Sequence, residues 1–139
     1  MGHYRKKHQN AEMPDERLIK AVKEKAKNGE IPCAVAHALA KELGVSPEQI
    51  GFTMDILDIP IVKCQLGLFG YKDKKKIIKP KKEVSEQLKD EIYMNLEQGR
   101  LPCKKAWEIA KKLNIGKMEV ASACEALGIK IIKCQLGAF

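Results

Sequence analysis

Apolar residues recur at helical spacing in three successive stretches of the first half of the chain. Leu18, Ile19, Val22 and Ala26 share one face of a first stretch, and Ala36, Leu39, Ala40 and Leu43 share one face of a second. A third begins after "GVSPEQ" and runs to about Leu57. The punctuation between them agrees with three helices. Asp15 is placed to cap the first, "NG" to end it, and Pro32 to sit in the first turn of the second. Ser46, Pro47 and Gln49 have the spacing of a capping box with proline at the first helical position. The next stretch, "IPIVKCQLG", is dense in Ile and Val and predicts a strand.

The same order recurs in the second half: Ser85 as cap, Leu88, Ile92 and Leu96 on one face, "QG" as stop, "RLPC", "KKAWEIAKKL", a third helical stretch, then "IKIIKCQLG". Sliding the chain on itself by 70 residues aligns Leu18 to Phe69 with Leu88 to Phe139 without a gap, and 17 of those 52 positions are identical. Average composition would give about three. The pentapeptide KCQLG is copied whole at 63–67 and 133–137, whereas residues 46 to 56 share no identity with 116 to 126. The expected organisation is an internal duplication: a basic tail over 1–12, a first repeat over 13–70, a Lys-rich linker over 71–84 and a second repeat over 85–139.

The stretch "LAKELGVSPEQIGFTMDIL" resembles the helix-turn-helix family, with small Ala40 where the helices touch, Gly44 in the turn, and Val45 and Ile50 at the apolar positions. Its second copy, "IAKKLNIGKMEVASACEAL", keeps Ala110, Ile115 and Val120 and places Asn114 at the turn, a residue that tolerates a left-handed backbone. With a helix before and a strand after, the resemblance implies a mainly α fold with short β wings: two tandem winged-helix-like domains. The pattern from "IPCAVAHALA" to "CQLGLFG" also resembles a family of small prokaryotic proteins, a likeness that implies no particular activity.

In the helix-turn-helix family the third helix enters the major groove and its outward residues meet base edges. Carried over, the outward positions are Ser46, Pro47, Glu48, Gly51, Phe52 and Asp55 in the first copy, and Gly116, Lys117, Met118, Ala121, Ser122 and Glu125 in the second. Few of these are good base readers. The residues best suited to meet nucleic acid there are Ser46, Gln49, Lys117 and Ser122. Either each half reads a different sequence, or the third helix is packed scaffold and the shared chemistry lies in the turn and wing.

Charge sharpens this. The net charge is +8, and the excess sits in the tail, which holds Arg5, Lys6 and Lys7, and in the linker, "YKDKKKIIKPKK", which holds seven lysines and one aspartate. Lys72, Lys74, Lys75, Lys76, Lys79, Lys81 and Lys82 suit phosphate contact, which binds without reading sequence. Double-stranded DNA or RNA is the expected partner; a protein bound by the helix-turn-helix surfaces is the alternative. Aromatic residues make up 5% of the chain and form no stacking row, which speaks against a single-strand platform.

Five cysteines, an odd number, with no export signal, argue against a disulfide framework and for reduced thiols in the cytoplasm. No apolar run approaches the roughly 18 residues of a membrane span. Cys33 and Cys103 come directly after the prolines that open the second helices, and Cys64 and Cys134 directly after Lys63 and Lys133. In a winged helix the segment before the second helix pairs with the strand after the third, so Cys33 would approach Cys64, and Cys103 would approach Cys134. These four are either buried packing residues, a reversible disulfide, or ligands for zinc or an iron–sulfur cluster. Cys124 matches Met54 at an inward position and reads as core.

No phosphate loop, dinucleotide fingerprint or paired-carboxylate motif occurs, and the one histidine within a repeat, His37, is Trp107 in the other copy, so no enzyme is expected. The sequence therefore predicts a small nucleic-acid-binding protein, a transcriptional regulator with thiol or metal sensing; its alternatives are a protein adaptor and a metal or iron–sulfur carrier.

Overall fold

The computed structural model describes residues 15–71 and 76–139. The tail 1–12 and linker residues Lys72, Lys74 and Lys75 lie outside these. Among the described residues there are six helices and four two-residue strands: α1 (Glu16–Lys25), β1 (Ile31–Pro32), α2 (Cys33–Leu43), α3 (Pro47–Ile56), β2 (Ile61–Val62), then α4 (Glu86–Met94), β3 (Leu101–Pro102), α5 (Cys103–Leu113), α6 (Lys117–Leu127) and β4 (Ile131–Ile132). The protein is mainly helical with short strands.

The chain divides into two compact units. One holds residues 15–64 together with Leu136–Ala138, the other Gln65–Gln135 together with Phe139. In the first, β1 pairs in parallel with β2, Ile31 opposite Ile61; in the second, β3 pairs in parallel with β4, Leu101 opposite Ile131. Each pairing ties the start of the unit's second helix to the chain leaving its third. Ile31 and Leu101 are fully buried there.

The helix caps stand where the sequence places them. Asp15 accepts from the Arg17 amide at 2.8 Å, Ser85 Oγ from the Leu88 amide at 3.2 Å, and Ser46 and Gln49 form the capping box in front of α3. Gly44 (φ 68°) and Asn114 (φ 55°) take the left-handed backbone that turns α2 into α3 and α5 into α6. Pro32 and Pro102 stand one residue earlier than expected, as N-caps, so that Cys33 and Cys103 open the helices.

Two expectations change. "NG" and "QG" do not cap the first helices, which end at Lys25 and Met94. They are tight turns: Asn28, Gly29, Gln98 and Gly99 all have positive φ, closing bridges between Lys27 and Glu30 and between Glu97 and Arg100. Paired positive φ angles are what a two-residue turn demands to match strand twist. The strand expected over "IPIVKCQLG" stops after two residues, because Lys63 and Lys133 turn to positive φ (50° and 53°) and send CQLG out of the pairing.

The outward assignment of the third helix also changes. Gly51 and Ala121 are buried. In the first unit Gly51 lies under the backbone of Leu136, and a Cβ there would run into the Leu136 carbonyl. Leu136 is itself buried, as is Leu66 in the second unit. Adding one methyl at Gly51 therefore meets backbone, not a movable side chain. Gly51→Ala should destabilise the protein by about 1–3 kcal/mol, the usual cost of overpacking, and lower the melting temperature by several degrees; an unchanged melting curve would mean that Leu136 does not seat on α3.

Candidate nucleic-acid interface and cysteine sites

In the second unit the outer side of α6 is occupied. The Lys81 amide donates to the Ser122 carbonyl at 3.1 Å, Lys76 pairs with Glu125, and Gly67, whose carbonyl accepts from the Ile77 amide at 2.9 Å, approaches Met118. Of the expected nucleic-acid contacts, Ser122 is thus half-buried beneath residue 81. Ser46 and Gln49 are exposed but engage each other in the cap of α3. Lys79 and Lys82 are exposed, while Lys81 is half-buried.

A different cluster is open. Lys104 and Lys111 are exposed on one face of α5, one helical turn either side of Trp107, and Lys117, the first residue of α6, holds its ammonium 4.5 Å from the Trp107 ring centroid. No ion pair joins Lys104, Lys111 or Lys117 to a described residue, in contrast to Lys112 with Glu91 (2.7 Å), Lys105 with Glu108 (3.8 Å) and Lys133 with Glu97 (2.9 Å). These three lysines line a cleft of about 560 Å³ beside the turn between α5 and α6, with Asn114 and Gln135 on its wall. In the first repeat the positions matching Lys104, Trp107 and Lys117 are Ala34, His37 and Pro47; only Lys41 matches Lys111. Lys117 was legible in the sequence as a contact residue, but Lys104 and Lys111 were not, because helical periodicity marks them simply as a solvated face. Their approach to one turn was the missing signal.

The KCQLG copies have traceable roles. The Lys133 ammonium hydrogen-bonds the Glu97 carboxylate and holds its pKa below the usual carboxylate value. Gln135 Nε2 donates to Cys103 Sγ at 3.9 Å. The Cys134 amide donates to the Phe139 carbonyl at 3.0 Å, and the Phe69 and Phe139 rings meet edge to face, with centroids 6.1 Å apart.

Cys33, Cys64 and Cys103 are 5–6% exposed and Cys134 is half-buried. None of the five cysteines is in a disulfide. Among the described residues no group of three or more His, Cys, Asp and Glu side chains is placed to hold one metal ion. Cys124 is 1% exposed, and burial, helped by the neighbouring Glu125 carboxylate, pushes its thiol up to about 12. Comparison with known protein families, curated proteins and solved structures finds no match for this chain.

The native Cys124 thiol keeps its proton to about pH 12, while the unfolded thiol releases it near 9.0. The native state therefore binds more protons between those values, and this group's share of stability, complete below pH 9, is lost as pH rises through that interval. In iodoacetamide labelling at pH 8 followed by peptide mass spectrometry, Cys134 should react first and Cys124 only after denaturation; equal labelling of all five would contradict the burial described.

Proposed function

We propose that this chain is a small cytoplasmic nucleic-acid-binding protein, made of two winged-helix-like units that arose by internal duplication, which grips its partner through phosphates rather than through its third helices. The observation that carries this is the gathering of Lys104, Lys111 and Lys117, none of them paired with a described carboxylate, around the turn of the second helix-turn-helix. Helix pairs joined by a left-handed residue and succeeded by a returning strand support the winged-helix reading. The net charge of +8 and exposed Lys79 and Lys82 support an anionic partner.

Base reading has less support. Gly51 is covered by Leu136, and Ser122 and Glu125 are engaged by residues 81 and 76, so the faces that would enter a major groove are partly filled. A sequence-reading regulator is the narrower form of this proposal, and thiol or metal sensing by Cys33, Cys64, Cys103 and Cys134 is not needed for it. A second reading, an adaptor that binds an acidic protein, draws on the same gathering of Lys104, Lys111 and Lys117.

Fluorescence anisotropy with a labelled duplex tests this. Affinity should fall steeply between low and physiological salt, and each of Lys104→Gln, Lys111→Gln and Lys117→Gln should reduce the slope of log K against log salt by about one. Selection from random-sequence duplexes should return a bound pool with no dominant motif. A strongly enriched motif would replace phosphate gripping with base reading, and no binding to duplex DNA or RNA at low salt would leave the adaptor.

A further inference from the structure

We propose that the cleft beside the second helix-turn-helix turn is a nucleotide site, in which the lysines hold phosphate and the Trp107 side takes the base. The site shares phosphate chemistry with the nucleic-acid reading but does not need a duplex, and its occupant is either a free mononucleotide or an unpaired nucleotide of a strand.

Size, charge and shape point the same way. The cleft volume of about 560 Å³ lies within the range of roughly 300–1,000 Å³ typical of small-molecule sites. Its charged lining residues are Lys104, Lys111 and Lys117 against Glu108, and Glu108 is turned to Lys105, which leaves an excess of positive charge for a phosphate. Lysine ammoniums are compact point charges suited to phosphate oxygens. Lys104, Trp107 and Lys111 lie at i, i+3 and i+7 of α5, so the two ammoniums bracket the indole along one face.

Trp107 supplies what a plain phosphate site lacks. An indole in a basic cleft is a stacking surface for a base, and stacking of this type accepts any base because every base has a π-face. Lys117 holds its ammonium over that ring, 4.5 Å from the centroid, so a base stacking on this face requires the ammonium to swing off the indole toward the phosphate. Asn114 and Gln135 add neutral polar groups of the kind that pair with base edges, and Gln135 is steadied by Cys103. This gives the copied glutamine of KCQLG a use beyond ending a strand. The first repeat, with Ala34, His37 and Pro47 at the matching positions, keeps only Lys41 of the three lysines and lacks the indole.

Trp107 is the only tryptophan in the chain, so the full-length protein carries its own reporter. Intrinsic fluorescence, excited at the red edge of indole absorption and corrected for ligand absorbance, would be titrated with adenosine monophosphate, adenosine triphosphate, inorganic phosphate and a short single-stranded oligonucleotide. Saturable quenching by the mononucleotides identifies a free nucleotide as the occupant; quenching by the oligonucleotide alone identifies a strand nucleotide. In either case the exposed double variant Lys104→Gln/Lys111→Gln, with its fold verified by circular dichroism, should weaken the midpoint by about tenfold or more, as expected for lost charged contacts. Absence of quenching by every nucleotide ligand, quenching indifferent to the double variant, or a response to inorganic phosphate equal to that for the nucleotides would overturn the site. Duplex anisotropy on the same samples separates the two proposals: duplex binding with a silent Trp107 rejects the nucleotide site alone, and loss of both signals rejects both.

Discussion

A two-residue parallel strand pair closes each unit, and the arrangement of the helices depends on it. The Ile31 amide donates to the Pro60 carbonyl at 3.1 Å and the Leu101 amide to the Lys130 carbonyl at 3.0 Å. The donor residues are fully buried, where an unsatisfied amide costs about 1–3 kcal/mol. They tie the chain entering the second helix to the chain leaving the third. The left-handed turns at Gly44 and Asn114 then set the angle between those helices, and the chain has little freedom left.

That closure explains why KCQLG is spelled twice. Immediately after the strand the chain must leave the pairing, and Lys63 and Lys133 do so at positive φ. The leucine three residues later must find a buried place, and both Leu66 and Leu136 do. The glycine then permits a backbone that other residues resist, with Gly67 at φ 74° and Gly137 at φ 83°. Leucine and glycine are thus held by packing and backbone geometry. Lys133 and Gln135 have partners of their own, Glu97 and Cys103, whereas the residue matching Glu97 in the first repeat is Lys27, which cannot pair with Lys63. The copied word has one structural meaning in both places and additional polar contacts in the second.

The two units share a frame and diverge in chemistry. Where the second presents Lys104, Trp107 and Lys117 around its turn, the first presents Ala34, His37 and Pro47, and the caps of the third helices differ in the same way, Ser46 with a capping box against Gly116 without a side-chain bond. The shared frame is the buried part of each unit, where a changed residue disturbs packing, while Lys104, Trp107 and Lys117 lie outside the core, where the two units differ. The basic cleft belongs to the second unit's own elements, so its chemistry does not require the first to match it.

The sequence by itself determined the local structure: helical periodicity located the helices, Asp15, Ser46 and Ser85 marked their starts, and Gly44 and Asn114 marked the turns, because caps and left-handed residues act over a few positions. It also showed the repeat and the placement of charge. It misplaced "NG" and "QG", since a two-residue turn and a helix stop use the same residue types, and it extended the final strands, since Ile and Val density cannot reveal where the next lysine turns to positive φ. Only the tertiary structure decided that Gly51 and Ala121 face inward, that residues 76–81 lie along α6, and that Lys104, Lys111 and Trp107 meet Lys117 at one cleft. Several of these are contacts between segments distant in sequence, such as Gly51 with Leu136, and side-chain periodicity within one helix carries no information about what covers its other side.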